Sequence, residues 1–280
     1  MIFDGHIHIG EGNQNREDFH QALLTAGVGG GIVISLPPSS FSNNARLRCA
    51  EERIDNLFYW VGSHPDLYPF FWIDPLDNDA LEQVVLAVDR GVKGFKVICD
   101  RFYPGSERAL DVFRAVASVR RPILFHSGIL WDGKASSEYN RPAGFEALLE
   151  VAGLRFSLAH ISWPWCDELI AVYGKFLSAH MPPKFTGEMF VDTTPGTPPI
   201  YRRDALTKLF TTGYDIGRNV IFGTDHHVSD YSRCSLEELV FRDNAIYRDI
   251  GLAEDAINAI FYENLRRFVG VARPNAKQGR

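Results

Sequence analysis

The chain has 280 residues, 45% of them hydrophobic and 23% charged, and a formal net charge of -6. That length excludes a small module and supplies a large apolar core. The acidic balance, with no basic stripe and no apolar run near the roughly 20 residues a membrane helix needs, disfavours nucleic acid and membrane as partners.

Taken in chain order, strands alternate with helices. Residues 2–10 alternate apolar and polar positions and read as a first strand carrying His6 and His8. A helix follows over Arg16–Ala26, with Asn15 as N-cap and Gly27 as its stop. A buried strand over 31–36 ends at Pro37-Pro38 and precedes a helix over 45–56. The third strand (70–74) and helix (79–89) are followed by a fourth strand (94–98) and a helix over 109–119. The fifth strand (122–126) leads to a helix over 145–152, and the sixth (155–160) to one over 166–176. The seventh strand (189–192) leads to a helix over 204–210, and the eighth (219–225) to helices over 236–250 and 254–269. Residues 178–188, with Pro182 and Pro183, form a flap, and 193–199 an irregular loop. Eight short apolar runs separated by helices imply an α/β fold, a parallel (β/α)8 TIM barrel, as a single domain over 1–280.

The four cysteines, Cys49, Cys99, Cys166 and Cys234, are dispersed and make no C-x-x-C pair, which speaks against a disulfide framework or zinc ribbon and fits a cytoplasmic location. No secretory signal is read at the N-terminus, and cleavage there would remove the first strand and its histidines.

The polar residues cluster at one end of the strands. His6 and His8 share a face of the first strand, two residues apart. His126 ends the fifth strand, His160 the sixth and Asp225 the eighth. A lone strand-end histidine is usually structural, but this joint placement lies on the face where barrel enzymes build their sites. Three imidazoles and a carboxylate can hold a zinc-like ion and leave a position for water, whose pKa falls from about 15.7 toward about 7. Asp225 suits the proton shuttle and His160 an acid/base or substrate-polarising role.

On the runs 4–8 (Asp-Gly-His-Ile-His), 125–128 (Phe-His-Ser-Gly), Ala159-His160, 222–225 (Phe-Gly-Thr-Asp) and the tail 264–268 (Asn-Leu-Arg-Arg-Phe), the chain resembles the amidohydrolase superfamily. Within it, the resemblance is to the amidohydrolase 2 family, which includes enzymes of the amino-carboxymuconate-semialdehyde decarboxylase type. The resemblance implies a distorted barrel with one divalent metal on His6, His8, His126 and Asp225, and His160 as the unligated acid/base. Zinc is the first choice, with manganese or another divalent ion behind it. Lys96 lies on the strand where binuclear relatives carry a bridging carbamylated lysine. A second metal is less favoured than a structural charge or a contact to substrate carboxylate. After Asp225 the chain departs from the family: His226 and His227 stand where many relatives have a proline two residues on.

Trp131, Trp163 and Trp165 are expected over the metal as pocket walls. Arg101, Arg202 and Arg203 are candidates for a substrate carboxylate, with solvated charge as the default. His20, His64 and His180 receive no chemistry. The leading reading is a metal-dependent hydrolase opening a C–N or C–O bond of a small molecule, and the alternative is a metal-dependent decarboxylase acting on a small carboxylic acid. A nuclease is disfavoured by Lys96 and the absent basic surface, and a non-catalytic barrel by the full ligand set together with His160. A homodimer is left open.

Overall fold

The computed structural model describes residues 1–10, 15–41, 49–179 and 185–271. Nine parallel strands run in the order β8-β7-β6-β5-β4-β3-β2-β1-β9: β1 (Ile2–His8), β2 (Val28–Ile34), β3 (Leu67–Trp72), β4 (Gly94–Val97), β5 (Ile123–Phe125), β6 (Arg155–Leu158), β7 (Glu188–Asp192), β8 (Val220–Ile221) and β9 (His226–His227). Helices α1 (Arg16–Ala26), α2 (Ala50–Val61), α3 (Ala80–Asp89), α4 (Glu107–Ser118), α5 (Cys166–Ser178), α6 (Pro199–Thr211) and α7 (Arg233–Asp249) intervene, with α8 (Glu254–Asn258) and α9 (Asn264–Val269) at the end. β8 and β9 are two halves of one strand broken at 222–225. The amide of Gly5 donates to Phe222 O (2.8 Å), Asp225 N to His6 O (3.0 Å) and Val228 N to His8 O (2.9 Å). This seam joins the two ends of the sheet and closes the barrel.

Gly5 is required at the seam, because a Cβ there would lie 2.6 Å from Ile221 Cγ2 and 2.9 Å from Phe222 O. Along the strands, one set of side chains fills the barrel: Phe3, Ile32, Phe70, Leu124, Phe190 and Ile221. Leu265 and Phe268 of α9 join the same cluster and stopper the barrel at the strand N-termini. Asn264 fixes that stopper by donating to Gly217 O (2.9 Å) and Val220 O (2.8 Å). The alternate set, including Ile7, Val33, Phe71, Phe95, Phe125 and Val191, packs outward into the larger core with the helices. Burial on both faces explains why the strands read as continuous apolar runs. With the lower end plugged, the open end is the C-terminal face of the strands.

Several boundaries shift for local reasons. α1 begins where expected, with Asn15 Oδ1 accepting from Glu17 N (2.9 Å) and Gly27 at φ 72°. α2 runs on to Val61 because Ile54, Leu57, Trp60 and Val61 continue its buried face; residues 45–48 of the expected 45–56 helix lie outside the described residues. The expected helix over 145–152 is instead part of a 3-10 segment, Pro142–Glu150. Pro142, Phe145, Leu148 and Val151 are all buried at spacings of three, the period of a 3-10 turn rather than an α-helix. Within the expected closing helix, a π turn (Ala259–Glu263) separates α8 from α9. Residues 180–184 of the expected flap, His180 among them, lie outside the described residues. Among the described residues no disulfide forms and no helix is long and apolar enough to cross a membrane.

Candidate metal centre and active site

Three of the expected residues converge at the open end. His6 Nε2 lies 3.1 Å from His8 Nε2 and 3.5 Å from Asp225 Oδ1, and His8 Nε2 lies 3.3 Å from the same oxygen. A tetrahedral zinc with ligands at its usual distances spans ligand-to-ligand edges of about 3.3 Å. The spacing of these three donors therefore fits such an ion, and their ligand atoms all lie within 4.8 Å of one another. The break between β8 and β9 puts Asp225 there: its backbone turns through a left-handed conformation (φ 61°) and swings the carboxylate toward β1. The Asp225 side chain keeps 35% exposure, so it faces the cavity rather than the core.

The protonation states suit the same chemistry. Burial, reinforced by the Lys96 ammonium, holds His6 well below the usual imidazole range, and burial likewise lowers His8 and His126. His160 is lowered to about 4 by burial. Burial works against the Asp225 carboxylate, but its imidazole neighbours outweigh it and keep the group well below the ordinary carboxylate range. Neutral imidazoles beside an ionised carboxylate are the ligand forms of these side chains.

His126 adjoins the cluster without joining it. Its Nε2 donates to Ile129 O (3.1 Å), so in the neutral ring Nδ1 is an acceptor, and it lies 3.2 Å from His160 Nε2. His160 Nε2–H therefore donates to His126, and His160 Nδ1 accepts from Thr194 Oγ1 (2.9 Å). His160 itself sits in a run of left-handed residues, His160, Ile161 and Ser162, that turns the chain sharply at the end of β6. Lys96 is on the inward face of β4, in register with Trp72 and Leu124, and its Nζ lies 3.2 Å from His6 Nε2. Burial lowers its ammonium to about 8, against the pull of Asp225 and Asp192.

A cavity of about 600 Å³ opens over these groups. Its floor is His6, His8, Lys96, His126, His160 and Asp225, and its walls include Leu36, Phe41, Trp72, Leu130, Trp131 and Trp163. Trp131 and Trp163 thus stand at the cavity, Trp131 with 81% exposure at its rim. Trp165 instead lies beneath Arg141 and lines a separate hollow. Arg101 does not line the cavity: Asp74 and Asp100 hold its guanidinium. Arg202 is buried in a pair with Asp243, and Arg203 pairs on the surface with Asp249. In each case a nearby carboxylate, distant in sequence, takes the arginine. His227 lines the cavity, whereas His226 turns away to Ser235 (3.1 Å).

Two acidic groups support the site from behind. Asp4, the first residue of the 4–8 run, accepts from His6 N (3.0 Å), Thr224 N (3.0 Å), Thr224 Oγ1 (2.6 Å) and Tyr231 OH (2.8 Å). It ties β1 to the strand break that carries Asp225. Its burial raises the carboxyl to about 6 despite these bonds. Asp192, at the end of β7, accepts from His6 Nδ1 (2.7 Å), which leaves the Nε2 lone pair facing the cluster. Sequence reasoning placed Asp192 on a strand end and gave it no role. The available signal was a carboxylate at the same C-terminal face as His126, His160 and Asp225.

A family model described as amidohydrolase (Amidohydro_2) matches residues 40–271, and the chain belongs to this family. The matched span holds His126, His160 and Asp225; His6 and His8 precede it. No curated protein matches the sequence. Among solved structures, 2,6-dihydroxybenzoate decarboxylase from Rhizobium is similar at a TM-score of 0.59 and 14% identity, over 96% of this chain and 97% of that one. Dihydroorotase from Campylobacter jejuni is similar at 0.57 and 13% (97% and 84% covered). Amidohydrolase 2 from Bifidobacterium longum subsp. infantis is similar at 0.58 and 13% (97% and 99% covered). At these identities the likeness is one of fold, a TIM barrel of the amidohydrolase superfamily.

Proposed function

We propose that this chain is a metal-dependent hydrolase that opens a C–N or C–O bond of a small molecule, such as a cyclic amide, lactone or ester. The observation that carries the reading is the convergence of His6 Nε2, His8 Nε2 and Asp225 Oδ1 under an apolar-walled cavity. His6, His8 and Asp225 would hold one divalent cation, zinc by the donor set, with His126 as fourth ligand once its Nδ1 lone pair is released by His160. When bound, that cation supplies Lewis-acid polarisation and lowers the pKa of a water.

The protein groups do the rest. The ionised Asp225 carboxylate accepts a proton from the attacking water and delivers it to the leaving nitrogen or oxygen. The Nε2–H of His160, freed from His126 once that residue is recruited as a ligand, would hydrogen-bond the substrate oxygen as charge builds on it. Lys96 places a positive charge beneath that oxygen. Trp72, Phe41, Leu130 and Trp163 exclude water from the substrate's apolar part.

A decarboxylase reading is kept because a 2,6-dihydroxybenzoate decarboxylase shares the fold over nearly the whole chain. The same Lys96 and His160 would then face a carboxylate and the carbon to be protonated. A panel of lactones, cyclic amides and hydroxybenzoates in H2(18)O separates the two. The hydrolase reading expects one labelled oxygen in the ring-opened product. Release of carbon dioxide from a carboxylate, with no ring-opening turnover, overturns it.

A further inference from the structure

Beyond binding and chemistry, the end of β7 contacts the rear nitrogens of two histidines in this site. Asp192 Oδ2 accepts from His6 Nδ1–H at 2.7 Å, and its other oxygen accepts from Thr194 N at 2.6 Å. Thr194 Oγ1 lies 2.9 Å from His160 Nδ1. One three-residue stretch therefore contacts the rear nitrogen of a metal-ligand candidate and of the acid/base candidate. All four residues are buried, and space around them is closed. A Cβ on Gly223 would lie 2.5 Å from Thr194 Cγ2 and 3.0 Å from His6 Cβ, and one on Gly196 2.6 Å from His160 Cβ. β7 is itself anchored, since Arg202 donates to Thr193 O at 2.6 Å while paired with Asp243.

We propose that Asp192, oriented by the Thr194 amide, is a positioning residue that fixes the tautomer of His6 and so leaves its Nε2 lone pair for a cation. The inference rests on the metal-site reading for its consequence, not for its geometry. Asp192→Asn is the discriminating substitution because it preserves shape. The fixed Thr194 amide needs an acceptor and claims the new carbonyl oxygen. The new NH2 then faces His6 Nδ1, which can only accept from it, and the ring proton moves to Nε2. There it blocks the cation.

The test is a long-range proton–nitrogen NMR spectrum of metal-free protein labelled at histidine nitrogen, paired with a Zn2+ titration against a competing chelator. Wild type is expected to carry the His6 proton on Nδ1 and the His160 proton on Nε2. Asp192→Asn should move the first to Nε2 and weaken Zn2+ about 10- to 100-fold. Thr194→Val, which keeps the amide, should leave the His6 tautomer and Zn2+ affinity unchanged, and the His160 proton should stay on Nε2, where His126 accepts it. A wild-type His6 proton on Nε2 overturns the proposal, and this spectrum decides it even if Asp192→Asn does not fold. Unchanged tautomer and affinity in folded Asp192→Asn also overturn it. Wild type with the expected tautomers but no Zn2+ uptake upholds the positioning role and defeats the metal reading instead.

Discussion

His126 Nδ1 and His160 Nε2 lie 3.2 Å apart and share one proton, which His160 contributes. A single lone pair on His126 can thus serve His160 or a cation, not both. On the proposed metal site, loading that recruits His126 would release the His160 N–H to the cavity, so the bond would link ligand assembly to the readiness of the proposed acid/base group.

The two histidines are therefore separable by substitution. His160→Ala is expected to keep its metal and lose at least about 100-fold in turnover. His126→Ala should weaken metal retention by at least about 10-fold. Metal analysis and a chelator-competition titration check both. Metal loss in His160→Ala, or unchanged affinity in His126→Ala, exchanges the two roles.

Lys96 sits 3.2 Å from His6 Nε2, too close to be a remote structural charge. As the positive charge beneath the reacting oxygen, its replacement in Lys96→Met should lower turnover by about 100-fold or more while metal affinity holds or rises, because a repelling ammonium is gone. Metal stoichiometry of the purified variant is the check. Loss of bound metal would mark Lys96 as a ligand, as in a two-metal site.

The Arg202–Asp243 pair is a stability element, since both side chains are almost fully buried and Arg202 also donates to Thr193 O. Asp243→Ala strands a buried guanidinium and should destabilise the protein by about 3–5 kcal/mol, measured by chemical denaturation. A cost under about 1 kcal/mol would show that solvent reaches Arg202.

Cys166 gives a pH test away from the metal centre. Burial raises its thiol to about 11 from an ordinary 9.0. The folded form thus keeps a proton that the unfolded chain loses first. The resulting stabilisation is complete below about pH 9 and is lost as pH rises through about 11. Alkylation of Cys166, followed by mass spectrometry, should still be accelerating between those values. A rate that levels off near pH 9 contradicts the shift.

Much of this was legible in the sequence because parallel strands buried on both faces leave plain apolar runs, and the His6/His8 pair, His126, His160 and Asp225 stand toward the C-terminal ends of four expected strands. Less visible was whatever depends on partners distant in the chain. Arg101 and Arg202 looked like carboxylate clamps until the distant Asp74 and Asp243 were found to hold them. Asp192 carries no local mark of its role, because that role exists only when β7 is folded 186 residues away against His6. The 3-10 segment Pro142–Glu150 was missed because a spacing of three overlaps the α-helical pattern over so short a run.

The central claim is that His6, His8 and Asp225 hold a divalent cation. Its most direct test is metal content by mass spectrometry after purification without chelator, for wild type, His8→Ala and Asp225→Ala. About one equivalent in wild type, falling below about a tenth in both variants, is the expected result. Less than about half an equivalent in wild type, or retention in both variants, would contradict it.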